Sequence, residues 1–157
     1  MAGVARYGVY QELADKNALY RAALERYRLL ATAKHKTQLK IPKGGLAKIK
    51  NYFIGLSKKR ASEGHRSCMA RQAAVDRSQN DSRVAEIVDH VMEDMRTVFG
   101  QPVGTGIAQG VKRDGSQESL VEFLVGLQRS IGTMARTSTP NQDIDQYIKA
   151  SLTLLSR

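Results

Sequence analysis

Between Arg26 and Ser62 the chain carries eleven basic side chains: Arg26, Arg28, Lys34, Lys36, Lys40, Lys43, Lys48, Lys50, Lys58, Lys59 and Arg60. No Asp or Glu interrupts these 37 residues, and Glu25 and Glu63 are the nearest acids. Ammonium and guanidinium groups at this density repel one another and are stabilised beside a polyanion, so the chemistry they offer is Coulombic binding of phosphates. Apolar residues at helical spacing run through the same stretch, which sets it apart from a disordered basic tail. Arg21 lies before it, and Arg66 and Arg71 follow it. The candidate nucleic-acid contacts are these fourteen cations together with Tyr52. Its ring falls on the same helical face as Lys48, Lys59 and Arg66.

The charge is polarised along the chain. Residues 1–83 hold 18 basic and 6 acidic side chains, a net of +12, whereas residues 84–157 hold 7 and 9, a net of −2. A generally basic surface would spread the excess evenly. Acid-poor helices also differ from ordinary solvated helix faces, which mix both signs.

Other chemistry is poorly represented. His35, His65 and His90 lack metal-ligand spacing; His35 and His65 stand in basic sequence and read as phosphate-facing or solvated. His90 adjoins Asp89 and is close to Glu93 and Asp94, on what reads as the outer or interface side of an amphipathic helix. Cys68 is the single cysteine, so neither an intrachain disulfide nor a Cys-based metal site is available. It reads as a small packed side chain. Gly100 to Gly115 contains five glycines, but their spacing fits neither a dinucleotide fingerprint nor a P-loop, and no strand pattern precedes them. That segment reads as a surface loop. No enzymatic activity, cofactor or metal is expected. No run of 18 apolar residues suggests a membrane span, and the first sixteen residues lack the apolar core of a secretory signal.

The elements that must position the cations read as helices throughout. Tyr10, Leu13, Asn17, Tyr20, Leu24, Tyr27 and Ala31 alternate steps of three and four, predicting a helix from about Val9 that ends near Lys40. Lys40-Ile41-Pro42-Lys43-Gly44-Gly45 reads as a turn. Its cations and glycines suit either close approach of a phosphate or a solvated loop. A second helix is expected from about Leu46, extending as far as Arg77, with Leu46, Ile49, Phe53 and Leu56 on its apolar face. Ser78 to Ser82 marks a boundary. Beyond it, Val84 to Val98 predicts a helix capped by Asp81 or Ser82 and stopped at Gly100-Gln101-Pro102. Another follows Ser116, and a last one starts at Thr139-Pro140, where Thr139 and Gln142 have the spacing of a capping box.

The expectation is thus an all-α chain: an extended basic helix-turn-helix arm over residues 1–80, then a near-neutral helical bundle over residues 81–157. Each arm helix would be about 35–45 Å long at about 1.5 Å per residue, close to one turn of duplex at about 34–36 Å. Asn and Gln, which read adenine edges, are sparse in the arm, which favours backbone binding without sequence preference.

Paired basic helices around Lys40-Ile41-Pro42-Lys43-Gly44-Gly45, followed by a neutral body from Val84 onward, resemble the major coat proteins of filamentous archaeal viruses (the rudivirus, lipothrixvirus and tristromavirus group). The resemblance is architectural and spans the whole chain. It implies a virion subunit whose arms wrap double-stranded DNA and whose bodies form the outer wall of a filament, either self-assembled or paired with a paralogous coat subunit. Two alternatives remain open: a dimeric DNA-binding accessory protein of the cytoplasm or nucleoid, and an RNA-binding protein.

Overall fold

The computed structural model describes residues 16–40, 45–63, 68–108, 115–137 and 139–154, with side chains described except at 57–63, 136 and 154. The described residues form six helices and no strand: α1 (Lys16–Leu39), α2 (Gly45–Glu63), α3 (Met69–Asp76), α4 (Ser82–Ala108), α5 (Gln117–Arg136) and α6 (Asn141–Leu154). The chain is all-α, as its periodicity predicts.

Helix α4 is the wall against which the others pack, because one apolar stripe along it meets different helices in its two halves. Val84 is fully buried in its N-terminal half, and Ile87, Val88 and Val91 pack around it. Together they meet Leu24 of α1 and Ala70 and Ala73 of α3. Met95, Val98, Phe99 and Val103 in its C-terminal half form the larger core with Ile49, Tyr52 and Phe53 of α2, Leu124 and Ile131 of α5, and Ile144, Ile148 and Leu152 of α6. Phe53 and Phe99 stack with centroids 5.8 Å apart, and Tyr52 meets both edge-on, geometries that suit the quadrupoles of aromatic rings.

Local signals explain most helix ends. Asp81 caps α4: its Oδ1 accepts from the amides of Arg83 at 3.1 Å and Val84 at 3.2 Å. The Ser116 hydroxyl caps α5 by accepting from the Ser119 amide. At α6 the expected capping box is not the device used. The Pro140 carbonyl accepts from Asp143 and Ile144, and the Thr139 hydroxyl pairs with that of Thr137. The helix begins at Asn141, one residue later than expected.

Three expectations need correction. First, the described helices within residues 1–80 do not stand apart from residues 81–157 as an extended arm beside a separate body. Leu39, Ile49, Tyr52 and Phe53 lie in the same core as α4, α5 and α6, because the apolar stripes of α1 and α2 find their burial there. Second, the helix from Leu46 does not run on to Arg77. It stops at Glu63, and Cys68 has extended backbone (φ −66°, ψ 122°) before α3. The two helices then serve different clusters, α2 the larger and α3 the smaller. Third, Gly100-Gln101-Pro102 does not stop α4. Pro102 sits inside a 27-residue helix, at the cost of one backbone hydrogen bond, and buries its ring.

The glycines beyond Pro102 explain why the helix continues there. Gly45, the first residue of α2, lies so close to α4 that a Cβ on it would overlap the Pro102 carbonyl oxygen and the Gly106 amide. A Cβ on Gly106 would meet Leu46 Cγ at 2.9 Å. Residues 100–108 are therefore a helix-packing surface rather than a loop; residues 109–114 lie outside the described residues.

Backbone atoms cannot swing aside as a side chain can. Gly45→Ala is thus expected to destabilise the protein by about 1–3 kcal/mol in urea titrations. Gly126→Ala, in open space on α5, is expected to stabilise it by about 0.5–1 kcal/mol through helix propensity.

Candidate nucleic-acid interface

The fold sorts the candidate cations into an inner and an outer set. Arg21 belongs to the inner one: its Nη2 donates to Asp81 Oδ2 at 2.8 Å and its Nε at 3.0 Å. Asp81 therefore caps α4 with one oxygen and holds α1 with the other. Arg28 Nη1 donates to Asp94 Oδ2 at 2.6 Å while Nη2 donates to Glu25 at 2.6 Å. The buried Thr32 hydroxyl donates to the same Asp94 oxygen at 3.0 Å. These arginines tie α1 to α4.

Arg71 is also turned inward. Its Nη2 donates to the Gln128 carbonyl of α5 at 3.4 Å, and its guanidinium lies where a Cβ on residue 132 would be. Gly132 makes room for it. Tyr52 is buried, and its hydroxyl hydrogen-bonds His35 Nδ1 at 2.9 Å. The expectations that Tyr52 lies among phosphate-facing residues, and that His35 is phosphate-facing or solvated, are both corrected. Tyr52 is the junction between α1 and α2, and His35 is half-buried against it. Its apolar ring wins over the basic character of its neighbours because Phe53 and Phe99 complete a cluster around it.

The outer set is what remains. Arg26, Lys34, Lys36 and Lys40 are exposed along α1, and Lys48 and Lys50 are half-buried near the start of α2. Only five residues separate Leu39 from Gly45, so the end of α1 and the start of α2 form one corner, pinned by the His35–Tyr52 contact. Lys34, Lys36 and Lys40 stand on its α1 side, and Lys48 and Lys50 on its α2 side. The first turn of α2 contains no acid but holds Lys48, so a cation sits at the positive end of the helix macrodipole, an arrangement an anion would relieve. Lys58, Lys59 and Arg60 belong to α2 but their side chains are outside the described set; Lys43 and Arg66 lie outside the described residues altogether.

His90 is exposed on α4. Arg96 bridges Glu93 of its own helix and Glu122 of α5. Arg77 lies 4.3 Å over the Tyr20 ring, a cation–π contact. Among the described residues no three His, Cys, Asp or Glu side chains gather as a metal site would require, and no helix is long and apolar enough to cross a membrane. No protein-family model, curated protein or solved structure matches this chain.

The ion pairs set a pH dependence. The hydrogen bond from Arg21, aided by the amides of Val84 and Arg83, holds the Asp81 carboxyl below its ordinary range. Arg28 does the same to Glu25. Burial, and then the adjacent Cys68 thiol, push the Tyr27 phenol upward. A carboxylate lowered in the folded state adds stability above its ordinary pKa and loses that contribution as pH falls through the folded value. Asp81→Asn, which retains a capping oxygen, is therefore expected to be less stable than wild type at neutral pH, with the gap closing below about pH 3. Urea titrations across this range measure it, and a pH-independent gap would show that the Arg21 pair is not its source.

Proposed function

We propose that the protein is a structural nucleic-acid-binding subunit that packages double-stranded DNA through its backbone, without sequence preference and without catalysis. The observation that carries this reading is the acid-free tract from Arg26 to Ser62, which buries Leu39, Ile49, Tyr52 and Phe53 in the core while Arg26, Lys34, Lys36 and Lys40 face solvent. Asp81 and Asp94 engage Arg21 and Arg28, and Lys36, Lys40 and Lys48 stand at the corner where α1 gives way to α2. Phosphate oxygens are the complement of such a corner, since helical lysines bind them as point charges and need no base-edge geometry. The resemblance to filamentous archaeal virus coat proteins supplies the assembly form: many copies on one duplex, in a virion filament, alone or with a paralogous subunit.

A second reading, a discrete DNA-binding accessory protein acting as a dimer in the cytoplasm or nucleoid, draws support from α1 and α2 lying along α4 rather than projecting as a free arm. Electron microscopy of the protein mixed with linear duplex separates the two. Regular filaments support the coat reading, and isolated particles at fixed spacing support the accessory reading. Competition between duplex DNA and RNA tests the choice of nucleic acid.

Binding to unrelated duplexes is expected to weaken with salt at a common slope. Replacing Lys36, Lys40 and Lys48 together by Gln should lower the magnitude of that slope by about 3, at about 0.9 per phosphate contact. Arg21→Gln should leave the slope unchanged while lowering stability, because its partner is Asp81. Fluorescence anisotropy over a range of salt concentrations measures both, and one strongly preferred sequence would overturn the reading.

A further inference from the structure

Helix α1 carries a second apolar seam that none of the described helices covers. Its inner seam, Tyr20, Leu24 and Tyr27, packs on α3 and α4. On the opposite side, Leu19, Leu29 and Leu30 are 43%, 56% and 61% exposed. Ala22, Ala23, Arg26, Ala33 and Thr37 are exposed on the same side. Leu19, Ala23, Arg26, Leu30, Ala33 and Thr37 alternate steps of four and three, the spacing of a helix–helix seam. Glu25 is the one acid of α1 in the described structure, and Arg28 engages it at the edge of this face.

We infer that this face binds a second copy of the chain, α1 against α1 and antiparallel, about a two-fold axis at Arg26. Two features select that occupant and that direction. The first is size complementarity. An antiparallel pairing centred on residue 26 sets Leu29 opposite Ala23, Leu30 opposite Ala22 and Leu19 opposite Ala33. Each leucine then faces an alanine on the partner, and small residues let the axes approach to about 8 Å. A parallel pairing would instead stack leucine on leucine and leave alanine facing alanine.

The second feature is charge. Parallel pairing would bring Lys34, Lys36 and Lys40 beside their own copies. The antiparallel pairing places the two Lys36 residues about 30 Å apart along the axis at about 1.5 Å per residue, beyond the Debye length of about 8–10 Å at ordinary salt. Arg26 then meets its own copy, and Lys36 stands across from Lys16 of the other copy at each end of the seam. The contact is isologous, as a two-fold interface requires, and it carries the two lysine corners to opposite ends of the pair.

The inference deepens the self-assembly part of the proposed function. Its test uses the full chain without nucleic acid, so that the two fail separately. Sedimentation equilibrium over about 1–300 µM is expected to show a monomer–dimer equilibrium of the weak class, tightening as salt screens the Arg26 pair. That is the opposite sign to DNA binding. Arg26→Leu should tighten the dimer at least tenfold, a gain that misfolding cannot mimic. Leu30→Glu should abolish it with helix content unchanged.

In a Cys68→Ser background, a Leu19→Cys protein mixed with an Ala33→Cys protein should form oxidised cross-links that neither forms alone. A monomer at every concentration would overturn the inference, as would a dimer indifferent to Leu30→Glu or cross-links within each single-cysteine protein. So would a monomer that uses Leu30 to bind phosphatidylserine vesicles, which would assign the seam to a lipid surface.

Discussion

The rotation of α1 about its own axis is set by charge. Arg21 and Arg28 stand two turns apart on one side of the helix, and Asp81 and Asp94 hold them from either end of the facing stretch of chain. Ion pairs near the surface add little to stability by themselves. Their weight lies in the choice they impose. An apolar stripe alone tolerates some roll of a helix, whereas two guanidiniums clasped from one neighbour do not. With the roll fixed, Tyr20, Leu24 and Tyr27 face inward, and Arg26, Leu30 and Lys36 face out.

Much of this was legible in the sequence, because helical spacing and capping residues act locally. Leu24, Val84, Leu124 and Ile148 lie at the centre of their buried faces, and Asp81 and Ser116 cap the helices expected of them. What escaped depends on partners distant in the chain. Pro102 and the glycines after it carry the local signature of a stop and a loop. Only the approach of Gly45, more than fifty residues earlier, turns them into a packing surface. Arg71 and Tyr52 were grouped with the phosphate-facing residues by the charge of their neighbours. Their destinations, Gln128 and His35, lie on other helices and have no local sequence signal.

The candidate interface was legible to a different extent. Composition located the tract but could not separate cations that join helices from cations that face solvent. That division depends on where Asp81, Asp94 and the Gln128 carbonyl fall once the helices are docked, and it removes Arg21, Arg28 and Arg71 from the outward set. What remains is narrower: lysines on either side of the junction between two helices, which share a core and a phenol–imidazole hydrogen bond.

The contact between Arg71 and Gly132 also bears on how this fold can diverge. The guanidinium occupies the volume in which any side chain on residue 132 would begin, so neither position is free to drift alone. Bulk at 132 is compatible with the helix packing only where residue 71 is short. Among chains sharing this architecture, the two positions should therefore change together, and that pairing would identify a distant relative even after the basic tract had been rewritten.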